Sequence, residues 1–370
     1  MKKLLVVSGL TGSGKSQVVQ ILSEQLKSKI IPVDSLQIYK NWPISSNWPK
    51  TLQNYELIGK YDGLKQTITS YRFKKDVLQI LKQKDNYILE GGCCFFLNYL
   101  INSRKEQFDE EQIKAADLQA SKLLENCEDP QALLKQYFQN YDDSINISDR
   151  YRIQKALRFA LLTNGQSITS PFNQEDPRLC DELDIRGFFL TEPQENISKK
   201  IYARCDQMIQ QGLLEEFYQF YQMLDQQEFR VTTPIGYDEF VNLLKCFQNI
   251  FEGRYISNRR AEKQKREYVL KFIQQFYIKS RQYAAYQRKY FRSNLNQFLW
   301  IDNRNINIPQ LILQYYNCDR QEYESKVASP QNEQQKNEQS SKLLGKQNDP
   351  LPPKQIQEIT YKTVQGFIDQ

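Results

Sequence analysis

The stretch LLVVSGLTGSGKSQVVQIL, Leu4 to Leu22, decides how the chain is read. A short apolar run suited to a buried strand passes into a glycine-rich loop, and the loop into apolar residues at helical spacing, with Val18, Ile21, Leu22 and Leu26 predicted on one face. Within it GLTGSGKS, Gly9 to Ser16, fits the pattern GxxxxGK[ST] in the strand-to-helix context that the pattern's mechanism requires. Glycines let backbone N–H groups turn inward, and the helix start adds partial positive charge. Lys15 can then reach terminal phosphates, and the Ser16 hydroxyl can ligate Mg²⁺. The loop alone does not distinguish ATP from another diphosphate.

Working outward, Ile30 to Val33 and Tyr87 to Leu89 read as further strands, and Val77 to Leu81 as part of an amphipathic helix. Alternating strands and helices predict an α/β fold: a P-loop NTPase-like parallel sheet flanked by helices, with ligands at the carboxyl ends of the strands. Strand signals vanish after Arg104, where helices are predicted over Ala115 to Leu124, Pro130 to Phe138 and Ser148 to Leu162, and Arg186 to Leu190 restores a strand. Long helices follow at Gln194 to Met223 and Asn258 to Phe291, the latter with an apolar stripe of Val269, Phe272, Ile273 and Phe276. The expected organisation is a core over 1–104 and 184–318, a helical insertion over 105–183, and a tail over 319–370. That Gln/Asn/Pro-rich tail reads as too polar to pack, hence disordered, with a short helix near Ile356 to Ile368.

Composition narrows the function. No apolar run approaches the roughly 20 residues of a membrane helix, and the apolar start leads directly into the phosphate loop, so neither a span nor a signal peptide is expected. Seven cysteines without histidine or a CxxC pair suit neither a zinc site nor a disulfide framework. A reducing compartment is therefore expected, the cytoplasm first, with a nuclear or mitochondrial pool left open. The net charge of +6 is unevenly spread: Arg254 to Arg292 holds twelve basic residues against two acidic ones. With Tyr268, Tyr277, Tyr283, Tyr286 and Tyr290 interleaved, this helix reads either as a solvated face or as an RNA-binding surface that uses charge and stacking.

Two acids fall at predicted strand ends. Asp34 stands beside the loop's ligand, where a carboxylate can act as a base or simply cap a turn. Glu90 stands where a phosphate-loop enzyme often keeps an acid to help hold Mg²⁺, or is a solvated strand end. Cys93 and Cys94, next along, read first as packing residues.

Taken together these segments resemble the tRNA dimethylallyltransferase (isopentenyltransferase) family. The resemblance rests on GLTGSGKS, IIPVDSLQIYK, the pair Gly91–Gly92, DRYRIQKAL from Asp149, KIYARCDQMIQQGLLEE from Lys200, IGYDE from Ile235 and SRQYAAYQRKYFR from Ser280, spread over most of 4–302. It implies transfer of a dimethylallyl group from dimethylallyl diphosphate to the exocyclic amine of the adenosine just 3′ of the tRNA anticodon. By that resemblance Asp34 is the base. Gly9, Thr11, Gly12, Ser13, Gly14, Lys15, Ser16 and Arg204 hold the diphosphate, Thr11 and Lys15 acting in catalysis and Ser16 carrying Mg²⁺. Asp34, Ser35, Leu36 and Gln37 meet the adenosine, and Cys93, Arg152, Gln154, Lys155, Arg281 and Gln287 are the implied tRNA contacts. A monomer is the simplest expectation.

The chain departs from the family pattern at several places. Cys93 stands where Thr is usual, Lys155 and Arg158 where Arg and Glu are usual, and Ala285 and Tyr286 where a Lys-Arg pair is usual. Three rivals stay open from the residues alone: an ATP-dependent small-molecule kinase, an enzyme acting on free adenine nucleotide, and a noncatalytic RNA-binding relative.

Overall fold

The structure is a computed structural model that describes residues 1–83, 86–104, 108–125, 127–138, 141, 145, 149–166, 177–224, 232–252, 258–304, 307–341 and 362–367. Arg254, the side chains of Arg259 and Arg260, the predicted helix start at Ser148, and the predicted terminal helix before residue 362 and after 367 lie outside the described residues. In chain order the elements are β1 (Lys3–Gly9), α1 (Lys15–Leu26), β2 (Lys29–Pro32), α2 (Ser70–Leu81), β3 (Tyr87–Glu90) and α3 (Cys94–Asn102). Then come α4 (Glu110–Glu125), α5 (Pro130–Tyr137), α6 (Arg150–Thr163), α7 (Leu179–Glu182), β4 (Asp184–Thr191), α8 (Gln194–Gln210) and α9 (Leu213–Leu224). The chain continues through α10 (Tyr237–Glu252), α11 (Asn258–Asn294), β5 (Phe298–Asp302), α12 (Ile308–Asn317), α13 (Arg320–Val327) and α14 (Pro330–Ser341).

Two compact units result, one from Met1–Leu100 with Leu183–Gln370, the other from Ile101–Glu182. The first is built on a five-stranded sheet in the order β2-β3-β1-β4-β5, with every neighbouring pair parallel. Parallel strands need both faces covered, which is why their sequences are continuous apolar runs rather than alternating ones. Leu5, Val7, Ile88, Phe188 and Leu190 from the sheet pack with Val18, Val19 and Leu22 of α1 and with Ile308 and Ile312 of α12. The helix face differs by one position from the predicted one: Val19 is buried and Ile21 is 44% exposed. The second unit packs its own core from Ala120, Leu124, Leu134, Ile153, Ala156, Leu157 and Ala160. Among the described residues no helix is long and apolar enough to cross a membrane.

Two predicted features are corrected. The single helix expected over Gln194 to Met223 is two, because Gly212 adopts φ +99°, a left-handed value that helical residues do not hold. The tail expected to be disordered from residue 319 instead forms α13 and α14 against the sheet. Its polarity misled because its contacts are themselves polar. The Tyr323 hydroxyl bonds both the N–H (2.8 Å) and the C=O (2.7 Å) of Gly187 in β4, and Arg320 pairs with Asp184 at 2.8 Å. The amide of Asn332 accepts from Trp300 N–H at 2.9 Å and donates to the carbonyls of Val327 (2.7 Å) and Phe298 (3.3 Å). Gln335, its amide turned so that both ends are satisfied, meets Trp300 C=O at 3.0 Å and Asp302 N–H at 2.7 Å. Asn332→Ala leaves buried backbone groups unpaired and is expected to lower unfolding stability by ~1–3 kcal/mol. The urea midpoint measures this, and an unshifted midpoint would show that the contact is dispensable.

Candidate active site

β1 ends at Gly9 and α1 begins at Lys15, so the loop between them sits at the carboxyl edge of the sheet. α1 starts without a side-chain cap, its N-cap being Gly14, which leaves the first-turn amides directed at whatever the loop encloses. Two neighbours hold the loop in place. Asn303, just after β5, donates to the Ser13 carbonyl and to Glu192, whose carboxylate also takes the Lys200 ammonium. Gln287 of α11, only 1% exposed, accepts from Thr11 N–H at 2.8 Å and donates to Gly92 C=O at 2.9 Å. A Cβ on Gly92 would lie 2.3 Å from the Gln287 amide nitrogen, so glycine there is the condition for that bridge. Gln287→Leu should unfold ~1–3 kcal/mol more easily, because it removes the partner of the part-buried Thr11 N–H and the shortest bond to the buried Gly92 C=O. An unchanged denaturation curve would mean the bridge is not formed in solution.

The loop opens on a cleft of about 300 Å³ whose walls include Thr11, Lys15, Ser16, Asp34, Ser35, Leu36, Gln37, Arg204 and Gln287. Nine residues singled out in the sequence, from four separated segments, therefore meet at one place. Asp34 caps a turn and also lines the cleft. Its Oδ1 accepts from Leu36 N–H (2.8 Å) and Gln37 N–H (3.2 Å), forming a turn, while the residue lines the cleft. The turn is continued by Gln37, whose amide donates to Ser46 C=O at 3.0 Å. The Ser45 segment is fixed in turn by Glu216 of α9, which accepts from Ile44 N–H at 2.7 Å and Ser45 N–H at 3.0 Å.

The cations of the cleft are held at an electrostatic cost. Withdrawal from solvent and the nearby Arg204 lower the Lys15 ammonium to about 8, against the pull of Glu90 and Asp34. Burial also lowers Arg204, whose guanidinium donates to the Thr11 hydroxyl at 3.2 Å. Glu90 is no solvated strand end: it is buried, burial raises its pKa, and hydrogen bonds from Ser16 and Tyr55, with the charge of Lys15, oppose the rise. An anionic ligand would relieve the two crowded cations.

Other predicted residues lie elsewhere. The Ser13 side chain is fully buried beneath the loop, so the loop backbone is what that residue offers a ligand. Cys93 is buried at the start of α3, its thiol pushed up to about 11 by burial and by the charge of Asp34. Arg281 donates to the Tyr202 hydroxyl at 3.4 Å. In the second unit, Arg152 is exposed and pairs with Asp149 at 3.2 Å, Gln154 donates to Asp117 C=O at 3.5 Å, and the Lys155 ammonium lies 5.4 Å over the Tyr151 ring. Sequence reasoning missed the apolar side of the cleft: Ile201 and Met208 of α8, Ile235 and Phe276. Phe276 had read as core stripe alone, and helical periodicity carries no signal for a side chain that serves core and cleft together. Asn303 and Glu192 were missed as well, since isolated polar residues after strands look like ordinary turns.

Comparison with known proteins agrees with this geometry. The sequence profile described as IPP transferase matches residues 37–294. A tRNA dimethylallyltransferase of Protochlamydia amoebophila (strain UWE25) is 25% identical over 319 residues, covering 81% of this chain and 84% of that protein. One from Sulfurimonas denitrificans is 32% identical over 225 residues, covering 57% of this chain and 72% of the relative. Among solved structures, a eukaryotic dimethylallyltransferase described as acting on tRNA superposes with TM-score 0.55 at 21% identity, covering 98% of this chain and 85% of that one. The tRNA isopentenylpyrophosphate transferase of Bacillus halodurans gives TM-score 0.53 at 21% identity, covering 88% and 99%. The matched profile begins after the phosphate loop and spans well over half of the chain, and on that match the chain belongs to the IPP transferase family.

Proposed function

We propose that the protein transfers a dimethylallyl group from dimethylallyl diphosphate to the exocyclic amine of the adenosine 3′ of the anticodon in tRNA, releasing pyrophosphate. The observation that carries this reading is a cleft with a cationic phosphate loop, a carboxylate at Asp34 and an apolar side within one small volume. The apolar side beside the phosphate loop suits a short hydrocarbon tail attached to a diphosphate.

The diphosphate of the donor lies against Lys15, Arg204, Thr11 and the first-turn amides of α1. Its five-carbon tail lies against Ile201, Met208, Ile235 and Phe276. The adenine amine is a weak nucleophile because its lone pair is delocalised into the ring. Orientation beside the allylic carbon, with Asp34 taking the amine proton, makes the attack possible. The C–N bond forms as the C–O bond to the diphosphate breaks, the bonding pair leaves with pyrophosphate, and the proton ends on Asp34. Lys15, Arg204 and the loop amides stabilise the charge that grows on the leaving group.

The donor set also fits a divalent cation. The Ser16 hydroxyl and the buried Glu90 carboxylate, hydrogen-bonded to each other, present hard oxygens at the cleft. That suits an ion that completes its shell with water and substrate phosphate. Ser16, with Glu90 in support, would hold Mg²⁺, which would supply countercharge to the diphosphate.

The test is to incubate the protein with Mg²⁺, dimethylallyl diphosphate and an anticodon stem-loop, and to weigh the RNA. The added prenyl mass on the adenosine is expected. A protein that binds ATP tightly but leaves the RNA unmodified would overturn the proposal.

A further inference from the structure

Three tyrosines run out of the cleft along α11. Tyr283 lines the cleft, donates to Gly92 C=O at 3.4 Å, and lies near enough to Asp34 for that charge to help raise its pKa. One turn further, Tyr286 stacks on it at 6.4 Å between ring centroids and 24° between planes, and Tyr290 follows at 5.8 Å. Tyr290 is tied to α3, since the Asn98 amide donates to its hydroxyl at 3.1 Å. Tyr286 is 51% exposed, although its two ring neighbours are the more enclosed members. On α3, Phe95 is 46% exposed and packs on Tyr99 at 6.3 Å, with the Lys74 ammonium 5.9 Å over the Tyr99 ring. Lys289 is exposed beside Tyr290 in the chain.

We infer that Tyr286 is the stacking platform for the nucleobase adjacent to the acceptor adenosine. The inference rests on the RNA-modifying function proposed above. An adenosine drawn into the cleft towards Asp34 leaves its neighbour unstacked on one face. The neighbour then lies within a nucleotide's reach of the cleft mouth, where Tyr286 presents a ring already rigidified by Tyr283 and Tyr290. Stacking on a tyrosine is tolerant of base identity, because every base has a π-face. Lys289 on the same helix and Lys74 over the Tyr99 ring supply charge for the strand's phosphates, which favours RNA over an apolar protein partner for this surface.

The test uses the full chain, an anticodon stem-loop, and two versions of that loop with one abasic residue immediately 5′ or 3′ of the acceptor adenosine. Tyr286→Ala should weaken binding of the intact loop by about 5- to 150-fold, the range that base–aromatic stacking supplies, while Tyr286→Phe should bind as wild type. Wild type should lose a similar factor on one abasic loop, and Tyr286→Ala should lose nothing further on that same loop. Its salt dependence should match wild type, whereas Lys289→Ala should reduce the salt slope by about one. Wild-type affinity in Tyr286→Ala, an equal loss in Tyr286→Phe, or additive losses on both abasic loops would overturn the inference. Transfer by wild type to the intact loop is read in parallel. Its absence removes the proposed function and this inference together, whereas normal transfer without the Tyr286 coupling removes the inference alone.

Discussion

Asp34→Asn is expected to slow prenyl transfer by at least ~100-fold while stem-loop binding stays within about two-fold of wild type. The geometry makes asparagine the informative replacement. Its carbonyl oxygen can still accept from Leu36 N–H and Gln37 N–H, so the turn that carries Ser35, Leu36 and Gln37 persists. Its amide nitrogen cannot take a proton. Asp34→Ala removes both functions and should lose stability as well as rate. The comparison therefore separates the base from the cap, which the sequence left undivided. Single-turnover kinetics with saturating donor measure the chemical step, and a rate for Asp34→Asn within a few-fold of wild type would mean that the proton leaves by another route.

Lys15→Met is expected to lower the rate by ~10²–10³-fold, the scale associated with one lost donor to a developing anion. A pH signature accompanies it. In the ligand-free protein the ammonium titrates at about 8, well below its ordinary 10.5. A diphosphate favours the charged form and raises that value, so binding takes up protons at pH values above about 8 and affinity falls as the pH climbs through that range. Below about 8 the lysine is charged in both states, and its contribution is level. The linkage to folding has the opposite direction: because the folded value lies below the unfolded one, the penalty of enclosing the cation is fully present below about 8 and is relieved between about 8 and 10.5. Pyrophosphate titrations from about pH 6.5 to 9.5 check the binding linkage, and urea midpoints from about pH 7 to 10 check the folding linkage. Lys15→Met should show neither the proton uptake nor the decline, and a decline that survives in it would assign the titration to another group.

The phosphate loop was legible in the sequence because its chemistry depends on local spacing, and spacing is what a sequence records. The parallel sheet was legible for a similar reason: strands buried on both faces must be continuous apolar runs. Strand β5 escaped notice because FLWID is only five residues long and ends in a polar turn soon after the long α11. The α8–α9 break hinged on one glycine inside an otherwise helical pattern. Gln287, Asn303 and Glu192 were hardest to place, since each acts on a loop far away in the chain: Gln287 reaches Thr11 across 276 positions. Only the fold brings such pairs together. The cleft's apolar side was hidden by economy, as Phe276 belongs to the core stripe and to the site.

The polar tail has a consequence beyond stability. Strand β5 ends the sheet, and a terminal strand offers a row of backbone donors and acceptors to which any passing strand can add. Asn332 and Gln335 of α14 engage Phe298, Trp300 and Asp302 along that row, so two side chains on a helix imitate a sixth strand. What looked like low-complexity sequence thus occupies the backbone groups through which another strand would pair. A chain cut before residue 330 would keep Arg320 and Tyr323 on β4 but present a bare edge, and its expected failure is assembly into oligomers through strand pairing.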